Sequence, residues 1–243
     1  MSQRGIFVPP DMKQDSTSGL ESILRRPLLE SRLDGTFGKR LTSIVAGAGF
    51  GKSTLLAEWA KDVSCAWHTA GSQDKRLPTF ARGVAAAVRS CVPDLPAEIT
   101  AVGGSSEHQL SAEAFAAGLC ASLDELLGHD VVLVLDDVHE LGRGTASTRL
   151  VESLCRHAPP TLHLVVASRD ELPFPIARLR GRGEVLELDA SDLAFTQDEV
   201  AELIAIALGQ GFQELGPAGA GGCPASLVPM LLKGGCGYEN VRS

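Results

Sequence analysis

The sequence predicts an α/β fold, a three-layer αβα domain with a mostly parallel sheet. Three observations predict it. The glycine-rich stretch Ala46-Gly47-Ala48-Gly49-Phe50-Gly51-Lys52-Ser53-Thr54 stands between an apolar run, Leu41 to Val45, and a helical pattern, Leu55 to Ala60. That order is strand, loop, helix, the context in which a phosphate-binding loop is credible. Two further runs, Val131 to Leu135 and Thr161 to Ala167, are continuously apolar, as strands covered on both faces of a parallel sheet must be. Segments of helical spacing separate these strands, the pattern of βαβ units. Together they describe the P-loop NTPase class of the α/β fold.

Taken in order, residues 1–20 are rich in Ser, Gln, Asp and Gly and are expected to form a disordered lead-in. The domain is expected over 21–208. Ile23 to Leu33 has the leucine spacing of a short amphipathic helix beginning near Pro27. Its arginines read either as a solvated face or as groups facing a nucleotide's base or ribose. Leu41 to Val45 is the first strand and Lys52 to Asp62 the first helix. Ser64 to Thr69 is a second, short strand. Leu77 to Val92 is a helix with Phe80, Val84, Ala87 and Val88 along one face. Pro, Gly and Ser make Val92 to Ser106 a connecting loop. Glu107 to Leu127 is helical, with Leu110, Phe115, Leu119, Leu123 and Leu126 in register. After the strand Val131 to Leu135, Ala146 to His157 is helical and Pro159-Pro160 ends it. Thr161 to Ala167 is the next strand. Leu172 to Leu179 is a proline-interrupted turn and short helix, with Arg178, Arg180 and Arg182 close together. Glu184 to Leu188 is a strand. Thr196 caps a final helix with Glu199 at the capping-box position, and that helix is expected to reach about Leu208. Residues 209–243 are dense in Gly and Pro and are expected to be an irregular tail.

The chemistry follows from where charged residues meet strand ends. Glycines let the loop backbone curl, so that successive N–H groups of Ala48, Gly49, Phe50, Gly51 and Thr54 surround an anion. The helix that follows adds its positive end. Lys52 is expected to reach the β- and γ-phosphates, and the Ser53 hydroxyl to ligate Mg²⁺. The strict motif opens with Gly where this chain has Ala46; the tight wrapping falls on later residues. Asp136 ends a buried strand downstream of this loop and is expected to hold the metal. Asp137 or Glu140 is expected to orient an attacking water. Arg169 ends the next strand on the same rim and is expected near the γ-phosphate. His139 reads as a structural hydrogen-bonding group.

The totals exclude other classes. The 243 residues are 44% hydrophobic and 21% charged, with a net charge of −8. Such an acidic chain is a poor nucleic-acid binder by itself. No apolar run approaches a membrane span, and Met1 to Asp15 lacks a signal-peptide core; a cytoplasmic location is expected. The six cysteines are scattered without a C-x-x-C pair and read as free thiols.

Several motifs resemble a known family. Arg26-Pro27-Leu28-Leu29, the loop from Ala48 to Trp59, and Leu133-Val134-Leu135-Asp136-Asp137-Val138-His139 are similar to the MalT-type STAND ATPases, many of which are large ATP-binding regulators of the LuxR type. So are Ala167-Ser168-Arg169 followed by Leu172-Pro173, Ala177 to Arg180, and Leu193 to Thr196. The resemblance runs from about Leu24 to Leu208 and includes Ala46. It implies an ATP- and Mg²⁺-dependent signalling switch with slow hydrolysis, in which Lys52 and Ser53 take the phosphate and metal roles, Asp136 the metal role, and Arg169 the γ-phosphate. Homo-oligomer formation belongs to the same implication. Adenine specificity rests on it too, and a guanine-specific Asn-Lys-x-Asp run is absent. Family members continue into a winged-helix region, a helical-repeat sensor and a helix-turn-helix; residues 209–243 resemble none of these, so DNA binding and inducer sensing are not expected of this chain. A truncated or frame-shifted reading frame would explain the difference. Two rival readings are an inactive nucleotide-binding remnant and a P-loop kinase acting on a small molecule; no arginine-rich lid between well-formed helices supports the kinase, and the cluster Arg178 to Arg182 alone keeps it open.

Overall fold

The computed structural model describes residues 25–100 and 111–202. The expected lead-in, the tail from 209 and the end of the last helix lie outside the described residues. The elements in chain order are α1 (Pro27–Leu33), β1 (Leu41–Val45), α2 (Lys52–Trp59), β2 (Cys65–Thr69), α3 (Leu77–Cys91), α4 (Ala97–Thr100), α5 (Ala112–Leu126), β3 (Val131–Asp136), α6 (Ala146–His157), β4 (Leu162–Ser168), α7 (Ala177–Gly181), β5 (Val185–Asp189) and α8 (Ala190–Leu193). A further helix occupies 197–202.

The five strands form one sheet in the order β2-β3-β4-β1-β5, and every pairing is parallel. All six residues of β3 and all seven of β4 are buried. Side chains alternate across a strand, and here both faces are apolar. Val131, Leu133 and Leu135 enter a core with Phe80, Val84, Leu119, Leu123, Leu150 and Leu154, from α3, α5 and α6. Val132 and Val134 enter the opposite core with Leu29, Leu33, Leu55, Leu56 and Trp59, from α1 and α2. Two helical layers on a central sheet are the result. Each fully buried Leu or Val contributes about 1.5–3 kcal/mol.

β4 lies between β1 and β3, with Val45 in register with Ser168 and Leu135 with Val166. Insertion of this strand spaces the glycine loop from the acidic end of β3, and brings the end of β4 between them. Side contacts fix the outer strand β2: a Cβ at Gly83 on α3 would collide with the His68 ring, so only glycine allows α3 to seat there. His68 in turn bonds Asp74 at 3.1 Å.

Boundaries moved where capping decided them. The helix expected from Glu107 starts at Ala112, because Ser111 is extended and its Oγ accepts from the Ala114 N–H at 3.3 Å; residues 101–110 lie outside the described residues. The first helix is α-helical only to Trp59 and closes as a 3₁₀ turn over Ala60–Asp62. The loop expected after Val92 contains α4, which begins where Pro96 supplies a carbonyl for the Ile99 N–H. The capping box is present: Thr196 N–H donates to Glu199 at 2.8 Å and Glu199 N–H to Thr196 Oγ1 at 3.2 Å. Cys65, Cys91, Cys120 and Cys155 are free thiols. Among the described residues, no helix is long and apolar enough to cross a membrane.

Candidate functional site

The C-terminal ends of β1, β3 and β4 share one rim, and the loop 46–51 curls over it. Gly49 and Gly51 have φ of 84° and 74°, which L side chains adopt only at a cost. Ala46 has no positive φ, and its methyl is 3% exposed in the core beneath the loop. That is the physical reason alanine stands where the motif has glycine. Ala46 N–H donates to Ser168 O at 3.2 Å, tying the start of the loop to β4. Ala48 and Gly49 are exposed, while the Phe50 ring packs toward the α1–α2 core.

Lys52 opens α2 and is 6% exposed. Its Nζ donates to Ala46 O at 2.6 Å and Gly47 O at 2.9 Å. Burial pulls its pKa below the ordinary lysine value; Asp137 and Asp136 oppose this and Arg169 adds to it. Ser53 Oγ donates to Asp136 Oδ2 at 2.6 Å, a bond between residues 83 positions apart. The Asp137 N–H donates to Asp136 Oδ1 at 2.9 Å. Burial raises the Asp136 pKa despite the Ser53 bond. Thr54 is exposed on the next position of α2.

Asp137 has φ 54° and ψ 39°, a left-handed residue immediately after β3. Asp tolerates this conformation better than most residues, and it turns the carboxylate out along the rim. Asp137 Oδ1 stands 3.5 Å from Arg169 Nε and 3.7 Å from His139 Nδ1. His139 Nε2 is 3.7 Å from Glu140. The hydroxyl and carboxylate pair of Ser53 and Asp136 is a hard-oxygen set that suits Mg²⁺, and among the described residues Lys52 is a cation with no carboxylate bonded to it.

Lys52, Ser53, Asp136, Asp137 and Arg169 therefore meet on one rim. The early arginines do not join them. Arg26 is 8% exposed and points away from solvent into the end of the described chain. It donates to Glu199 at 2.9 and 3.1 Å, to Leu193 O at 2.8 Å and to Ala194 O at 3.0 Å. Its guanidinium lies 4.6 Å from the Phe195 ring centroid. Both readings of Arg26, solvated face and base contact, give way to an internal clamp. The capping box was visible in sequence; its partner 173 positions upstream left no local signal. The α7 arginines do not form a lid either. α7 descends to the start of β5, at the end of the sheet opposite the loop, and Arg180 pairs there with Glu187 at 2.7 Å.

No protein-family model matches the chain. It is 35% identical over 185 residues to the HTH-type transcriptional regulator MalT of Yersinia enterocolitica, covering 75% of this chain and 20% of that protein. It is 32% identical over 192 residues to MalT of Yersinia pestis, with 75% and 20% covered. The chain spans about a fifth of the length of these regulators. Among solved structures, the Walker-type ATPase PABY2304 of Pyrococcus abyssi matches with a TM-score of 0.52 and 14% identity, over 81% of this chain and 60% of that one. The ORC1 protein of Aeropyrum pernix, solved in complex with DNA, matches with a TM-score of 0.50 and 17% identity, over 77% and 48%. These two likenesses concern the fold alone. Across three quarters of its length this chain is similar in sequence to the MalT regulators, and that stretch is carried on a three-layer α/β fold of the kind seen in the Walker-type ATPase.

Proposed function

We propose that this chain is an ATP–Mg²⁺-binding switch module of a MalT-type transcriptional regulator, with slow hydrolysis of ATP to ADP and phosphate. The observation that carries the reading is the 2.6 Å bond from Ser53 to Asp136 beside the buried Lys52, under a loop with two left-handed glycines. Ser53 and Asp136 would hold Mg²⁺, which when bound neutralises phosphate charge. The loop N–H groups and Lys52 bind the phosphates. Asp137 orients a water and accepts its proton; Arg169, next to it, meets charge on the γ-phosphate. Arg169 is half exposed, so it can reach outward. Homo-oligomer formation, and absence of nucleic-acid contact by the acidic chain, complete the proposal.

A phosphate-release assay tests it. Slow release of free phosphate is expected, cut by about 10²-fold in Asp137→Asn with ATP binding retained. A phosphorylated acceptor would make the chain a kinase. ATP binding with no release would leave the inactive nucleotide-binding remnant.

A further inference from the structure

A cavity of about 530 Å³ opens between α6 and α7. It lies by Arg40 and Glu184, which directly precede β1 and β5, at the end of the sheet opposite the glycine loop. Arg40, Arg156, Arg178 and Arg182 line it, and the buried Phe174 forms part of its wall. Among the described residues that line it, four guanidiniums meet two carboxylates, Glu152 and Glu184, in a chain whose net charge is −8.

Arg40 is already engaged. It donates to Ala158 O at 3.1 Å, at the end of α6, and its Nε lies 3.9 Å from Glu184. Arg156, Arg178 and Arg182 are exposed and form no ion pair among the described residues. On α7 the division is sharp. Arg180 is held by Glu187 at 2.8 and 2.7 Å, whereas Arg178 and Arg182, four positions apart and so on one side of the turn, line the cavity. Like charges gathered around one concavity focus positive potential. Guanidiniums take carboxylate and phosphate oxygens in pairs. Among the described residues Glu184 Oε2 is buried with no hydrogen-bond partner, Arg40 Nε standing 3.9 Å from it, so it can still accept from a hydroxyl or amine. The volume suits a small molecule, since ligand pockets run to roughly 300–1,000 Å³.

We propose that this cavity is a second ligand site, for a small organic anion whose carboxylate or phosphate is held by Arg156, Arg178 and Arg182 and whose body rests on Phe174. It stands apart from the glycine loop.

Calorimetric titration of the full chain with citrate, and separately with inorganic pyrophosphate, tests this. Both are repeated in Lys52→Ala, where the loop's own phosphate donor is gone. The expected result is saturable binding of at least one probe in Lys52→Ala, weakened at least tenfold on adding Arg178→Ala with Arg182→Ala. Arg156→Gln, at the exposed end of another helix, gives an independent check on α6. Citrate binding alone identifies a carboxylate site and pyrophosphate binding alone a phosphate site. No binding of either probe by a chain that melts cooperatively would overturn the proposal. So would affinities that stay within twofold in all the arginine variants.

Discussion

Asp136 shows how function is set against stability at a single residue. It is 3% exposed, and burial raises its pKa above the ordinary carboxylate value. A carboxyl with a raised native pKa keeps its proton to a higher pH than the unfolded chain does. Between the two values the native state therefore holds more protons, and stability falls as pH rises through that window. Asp136→Asn is expected to flatten this slope, as read by urea midpoints measured across the acid range. Ser53→Ala is expected to move the Asp136 carboxyl further up, because the Ser53 bond is the largest influence lowering it; carboxyl chemical shifts followed against pH would show this. Gly51→Ala isolates the backbone contribution. With φ of 74° and nothing within 4 Å of an added Cβ, its cost is conformational, about 1–2 kcal/mol.

At the scale of elements, the buried clamp on Arg26 joins the first helix to the end of the described chain. α1 packs on α2, which carries Lys52 and Ser53, and Arg26 precedes α1 directly. The Glu199 partner also caps the helix that starts at 197. Arg26→Ala removes one side of a largely buried pair and leaves two carbonyls and a carboxylate short of donors. It is expected to cost about 2–3 kcal/mol, with hydrogen exchange quickening in α1 and in 193–202 before it does in β3. Uniform quickening throughout the domain would contradict a local clamp. Core elements should answer differently: Leu133→Ala on β3 is expected to cost about 2–5 kcal/mol without changing which region opens first.

At the scale of the molecule, the parts legible in sequence are those whose physics is local. The apolar runs of β3 and β4 announce two buried faces, so the parallel sheet and three layers follow from pattern alone. The loop residues from Ala46 to Thr54 and the strand-end positions of Asp136, Asp137 and Arg169 were legible for the same reason, since strand ends in one parallel sheet share a rim. What sequence could not give depends on contacts between distant segments. The Arg26 clamp spans 173 positions. The facing of Arg178 and Arg182 toward the base of β1 needed the path of α7. The His139–Asp137–Arg169 chain needed the left-handed turn at Asp137, which one residue's identity does not announce.

On this reading the loop rim holds ATP–Mg²⁺. The most direct measurement is equilibrium binding of ATP–Mg²⁺ to the intact chain and to Lys52→Ala, with thermal unfolding followed in parallel. Saturable binding that the variant loses is expected, with a rise in stability of about 2.7 kcal/mol at a hundredfold excess over Kd. A chain that unfolds cooperatively yet binds no nucleotide, or that binds it equally well with and without the Lys52 ammonium, would contradict it.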